Sequence, residues 1–157
     1  MKVFWVSERL AFGSAIGDSW RDVRRLHEMG FTHVINLRHG KGYRNKLRSF
    51  HRLWLPFRDD KEPRPDWFHR DALRFYTRAI EASNSKVYVM CHRGICRSAS
   101  LTYFFLRLDG FSPARAKSIV LKARRCARVV PAYQRSGEDF RSLYKMQQII
   151  KGKHTKS

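Results

Sequence analysis

The stretch from Lys86 to Leu108 constrains this chain more than any other. Lys86-Val87-Tyr88-Val89-Met90 is a short β-rich run bounded by a turn, which predicts a central strand. Ser98 to Leu108 is apolar on nearly every side, which predicts a buried helix. Between them lies Cys91-His92-Arg93-Gly94-Ile95-Cys96-Arg97, a short loop with glycine at its centre. A buried strand that turns directly into a buried helix needs cover on both sides, so it belongs in a layered fold.

The flanking pattern agrees. Phe4 to Val6 and Leu10 to Phe12 read as edge strands of a hairpin, and Thr32 to Leu37 and Leu53 to Phe57 read as further strands. Ser19, with Asp22 three residues on, reads as the N-cap of a helix that Gly30 stops. Pro65 opens a helix with an apolar face of Phe68, Ala72, Phe75, Ala79 and Ile80, closed by Asn84. Ser112-Pro113 starts another, and Ser136 to Ile150 a last one. Strands alternating with helices predict an α/β fold, a central, mostly parallel sheet flanked by helices. The 157 residues fit one domain, assigned to 1–150, with 151–157 as a flexible basic tail. Trp5, Trp20, Trp54 and Trp67 are expected in the core or on groove walls.

The loop suits one ligand chemistry. Gly94 permits a tight or positive-φ turn, after which successive N–H groups of His92, Arg93, Gly94, Ile95 and Cys96 can converge as an anion nest. The helix beginning near Arg97 adds its own free N–H groups and positive dipole end. Arg97 offers a planar fork for two phosphate oxygens. An ordinary thiol, with a pKa near 8.5, is only about 3% thiolate at neutral pH, so a cysteine in such a field is the one suited to act as a nucleophile. Ser98 is placed to donate to that thiolate. Read without its context, Cys91 is simply a buried cysteine closing a core strand.

These residues resemble the protein tyrosine phosphatase superfamily, specifically its dual-specificity branch. Gly30 to Leu37 is similar to the strand before the family's variable loop, Leu55-Pro56-Phe57-Arg58-Asp59 to its general-acid loop, and Cys91 to Ser98 to its phosphate-binding signature. The low-molecular-weight tyrosine phosphatases share C-x-x-x-x-C-R-S, but with the loop first and the acid late; the order here is reversed. The resemblance implies hydrolysis of phosphate monoesters through a cysteinyl-phosphate, without metal or cofactor. It makes Cys91 the nucleophile, Arg97 the clamp and Asp59 the general acid, with Asp60 the competing assignment. Two positions depart from the pattern: Met90 stands where a histidine usually precedes the nucleophile, and Cys96 where many members carry a small hydroxyl residue.

The chain carries 33 Lys and Arg against 13 Asp and Glu, a net charge of +20 that favours polyanions: phosphorylated proteins, other acidic phosphate esters, nucleic acid or anionic lipid. Basic His92 and Arg93 resemble loop residues of members acting on phosphoinositides, although side chains here usually point to solvent. The same loop is compatible with a specialised RNA 5′-phosphatase and with a weakly catalytic phosphate-binding module. Lys122 to Arg128 reads as a solvated helix end, and Tyr133 and Gln134 as candidates for the site's border. Three cysteines, Cys91, Cys96 and Cys126, form no even disulfide framework. Cys96 is the candidate disulfide partner for an oxidised Cys91, with Cys126 expected on a different helix. With no signal-peptide pattern and no run of about 20 apolar residues, the expected state is a cytoplasmic monomer.

Overall fold

The computed structural model describes residues 1–154. Ten elements follow in order: β1 (Val3–Trp5), β2 (Leu10–Ser14), α1 (Arg21–Glu28), β3 (His33–Arg38), β4 (His51–Phe57), α2 (Asp66–Glu81), β5 (Val87–Cys91), α3 (Arg97–Leu108), α4 (Pro113–Ala123) and α5 (Pro131–His154). The five strands form one sheet, ordered β1-β2-β5-β3-β4. Only the β1–β2 pairing is antiparallel; β2–β5, β5–β3 and β3–β4 are parallel. The expected α/β architecture is the one observed.

Alternation along β5 explains the two-sided core. Val87, Val89 and Cys91 face a large cluster with α2, α3, α4 and α5, whereas Tyr88 and Met90 face a smaller one with Leu26, Tyr43, Leu47 and Phe50. Met90, fully buried among apolar side chains, therefore points away from the side that Cys91 serves.

Several expectations need correcting. β2 is not an edge strand: its residues are buried and it pairs with β5, leaving β1 at the edge. β4 begins at His51, two residues before the expected Leu53, and carries Pro56 inside it. The strand is the opposite edge and the register slips between Asn36 and Arg38, so a missing N–H is tolerated there. Trp20, not Ser19, is the N-cap of α1, and Asp22 accepts from the Gly17 N–H. α2 stops at Glu81. α5 begins at Pro131, a favoured first-turn residue, five positions before Ser136. It continues through His154, into the segment assigned to the tail; residues 155–157 of that segment lie outside the described residues. None of the four tryptophans is in the core, at 36–54% exposed, but Trp5 and Trp54 line grooves, the other half of the expectation. Ser112 does cap α4, accepting from the Arg115 N–H.

One buried ring makes stability depend on pH. His69, on α2, packs against Phe104 and Phe140, and bonds Ser136 through Nε2. Burial disfavours its charged form and lowers its pKa from 6.5 to about 4. The unfolded chain takes up this proton near pH 6.5 and the folded chain only near pH 4. Stability from this group is therefore complete above pH 6.5 and is lost as pH falls toward 4, by up to about 3 kcal/mol. His33, lowered by its own burial and by His51, acts in the same direction. Thermal melts at pH 7 and pH 5 should show a clear drop for the wild type and a smaller drop for His69→Leu.

Candidate active site

The loop from Cys91 to Arg97 crosses from the C-terminal end of β5 to the first turn of α3. Gly94 adopts φ +67°, and a Cβ there would stand 2.3 Å from the Gly13 carbonyl carbon, so only glycine fits. Around it, four consecutive carbonyls are tied down. His92 O accepts from the Ala15 N–H, and Ile95 O from the Arg128 N–H. Arg93 O and Gly94 O both accept from Arg124 Nη1, at 2.8 and 2.7 Å. In a trans peptide the C=O and the following N–H point in opposite directions. The N–H groups of Arg93, Gly94, Ile95 and Cys96 are thereby each turned away from the carbonyl that precedes them. The Gly94 N–H donates to Cys91 Sγ at 3.2 Å.

Cys91 is buried, and its sulfur also meets Ser98 Oγ at 3.2 Å. Arg97 Nη1 donates to Leu37 O and Phe57 O, the carbonyls at the ends of β3 and β4, at 3.2 and 2.8 Å. Nη1 alone is engaged among the described residues, which leaves the rest of the fork for a ligand. α3 starts at Arg97 with no side-chain cap, so its first-turn N–H groups are also unspent.

A cleft of about 420 Å³ brings together Cys91, His92, Arg93, Ile95, Cys96 and Arg97 with Asp59, Cys126 and Arg128. Asp59 comes from the loop after β4. Its Oδ1 pairs with Lys61 Nζ at 2.6 Å and accepts from the Tyr133 hydroxyl at 3.1 Å, while that same hydroxyl accepts from the Lys61 N–H. Burial pushes the Tyr133 phenol up to about 12, so it stays a donor. Asp60 is turned elsewhere: its carboxylate holds Arg64 and the Glu62 N–H, and it does not line the cleft. The Glu62 bond, followed by Arg64, lowers its pKa.

His92 and Arg93 are exposed, as side chains on such a loop were expected to be. The Lys122–Arg128 run is not simply a solvated helix end. Arg124 braces the loop and lies over the Phe4 ring, and Arg128 borders the cleft. Cys126 is on no helix: it follows α4 and lines the same cleft as Cys91 and Cys96. All three cysteines are free, and burial raises the Cys96 thiol pKa. Among the described residues no cluster of three His, Cys, Asp or Glu side chains could hold a metal ion, and no helix is long and apolar enough to cross a membrane.

The family model for the catalytic domain of dual specificity phosphatases matches residues 18–140, which carry the Asp59 loop, the Cys91–Arg97 loop and Tyr133. The chain belongs to this family. No curated protein matches this phosphatase domain. Solved structures do so by fold. PTPMT1 has a TM-score of 0.79 at 18% identity, over 94% of this chain and 99% of its own. The human tyrosine phosphatase-like serine/threonine/tyrosine-interacting protein scores 0.76 at 20% identity, over 90% and 97%. Human DUSP28 scores 0.72 at 21% identity, over 91% and 95%.

Proposed function

We propose that this phosphatase domain hydrolyses phosphate monoesters, phosphotyrosine first and phosphoserine or phosphothreonine with it, through a phosphorylated Cys91. The observation that carries this reading is the Cys91 sulfur held by the Gly94 N–H and Ser98 Oγ, with Arg97 and Asp59 on the same cleft. A phosphate seated there meets the sulfur below and hydrogen-bond donors around its equatorial oxygens, where charge builds up in the transition state. Cys91 Sγ attacks phosphorus, and the bond to the ester oxygen breaks as Asp59 protonates that oxygen. Asp59, now a carboxylate, takes a proton from water, which attacks phosphorus and releases phosphate. Ser98 donates to the departing thiolate.

A phosphoinositide reading has two observations in its favour beyond net charge. Exposed His92 and Arg93 rim the cleft beside Arg128, and one solved structure of PTPMT1 is a complex with PI(5)P. Phosphate release from a phosphotyrosine peptide, a phosphoserine peptide, a phosphoinositide and a 5′-triphosphate RNA tests both. Fastest turnover of the phosphotyrosine peptide supports the first reading, and preference for the lipid replaces it with the second.

Tyr133 is a positioning residue in this account, because its hydroxyl joins the acid to the Lys61 backbone. Tyr133→Phe should lower kcat about 3- to 10-fold on an alkyl or phenyl phosphate and leave KM unchanged, a change of about 1 kcal/mol. In an Asp59→Asn background the same change should cost nothing further, since both act through one carboxyl group.

A further inference from the structure

β4 is an edge strand, and its outward side chains Arg52, Trp54 and Pro56 are exposed. Charge and proline on a free edge are ordinary protection against edge-to-edge pairing. That explanation covers Arg52 and Pro56 but not Trp54, an apolar ring 49% exposed at the same edge.

Trp54 is also held in place. Its Nε1 donates to Arg38 O at 2.9 Å, which fixes the indole plane. Gly42 lies against one face, where a Cβ would approach the ring to 3.2 Å. Among the described residues no aromatic ring or cation lies over Trp54, whereas Trp5 stacks on Phe31 and has Lys86 over it. The indole forms a wall of a concave groove of about 420 Å³, together with Arg44 and Arg52. Neither guanidinium makes an ion pair among the described residues, and no acidic residue occurs between Glu28 and Asp59.

We propose that this groove binds single-stranded nucleic acid, with a base stacked on Trp54 and the flanking phosphates on Arg44 and Arg52. A rigid aromatic face between cations is what an unpaired base and its backbone require, and any base can use it. Within a duplex the base faces are covered by their stacked neighbours, so only a terminal pair could offer one. The groove shares no lining residue with the Cys91 cleft, and the proposal does not depend on the phosphatase chemistry.

The test is fluorescence anisotropy with a labelled uridine-rich RNA carrying a 5′-hydroxyl, so that no phosphate monoester is present, alongside a duplex of the same length. Trp54→Leu should weaken single-strand binding about 5- to 100-fold and leave the duplex unaffected. Trp54→Tyr, which keeps a stacking ring, should retain most of the binding. Arg44→Gln with Arg52→Gln should weaken both nucleic acids and flatten the salt dependence. Melting curves and turnover of a small aryl phosphate, both unchanged in the variants, confirm that the fold and catalysis are intact. Binding of strand and duplex alike with no response to Trp54→Leu would reduce the interaction to net charge and overturn the proposal. So would the absence of binding to the single strand.

Discussion

Cys91→Ser should abolish turnover, with activity below about 1% of wild type, while inorganic phosphate or a substrate analogue still binds. Serine preserves the shape of the site: the Gly94 N–H and Ser98 Oγ keep an oxygen to meet, and the carbonyls held by Ala15, Arg124 and Arg128 are untouched. A serine hydroxyl, however, stays protonated at neutral pH, and the groups that meet this position, the Gly94 N–H and Ser98 Oγ, are no bases that could activate it. Loss of turnover with retained binding separates the nucleophile from the cradle. The comparison is kinetic against calorimetric: phosphate release and titration on the same two preparations. Residual turnover above a few per cent would mean that phosphorus is attacked by something other than the sulfur.

Asp59→Asn carries the second large effect. On a substrate with a poor leaving group, an alkyl or unactivated phenyl phosphate, the rate should fall about 10²- to 10⁴-fold. On an activated aryl phosphate, whose leaving oxygen needs no proton, the loss of the first step should be much smaller. Asp60→Asn should be mild on both, since that carboxylate is occupied by Arg64 and by the Glu62 N–H outside the cleft. Its cost should fall on the loop's stability instead. Rate against leaving-group pKa for the three proteins gives the answer. A steepened dependence confined to Asp59→Asn identifies the acid, and one confined to Asp60→Asn transfers the role.

What could be read from the sequence follows from how local each feature is. β5, the loop and α3 are consecutive, so a β-rich run, a central glycine and an all-round apolar helix fall in one short window, and their boundaries were legible to within a residue. The parallel sheet followed from the alternation of elements. Arg124 and Tyr133 were poorly legible for the opposite reason. Arg124 grips carbonyls about 30 residues away, and Tyr133 reaches Asp59 across 74 positions, so neither contact leaves a local pattern. A run of basic residues looks the same whether it is solvated or pinned. Tryptophan bulk likewise left core and groove wall both open, and the β4 pleat, which directs Leu55 and Phe57 inward and Trp54 outward, decides for the groove at Trp54. That Asp59 lines the cleft while Asp60 holds Arg64 depends on the loop's path, because adjacent residues point in different directions.

The nucleophile assignment is tested most directly by trapping its intermediate. Wild-type protein mixed with excess phosphate monoester, quenched in acid within the first turnovers and digested, should yield the Cys91 peptide heavier by one phosphoryl group. The adduct should be stable in acid and absent from Cys91→Ser. Slowing the second step with Asp59→Asn on an activated aryl ester should increase it. Steady turnover with no phosphoryl group on any peptide, or with the group on a residue other than Cys91, would contradict the account.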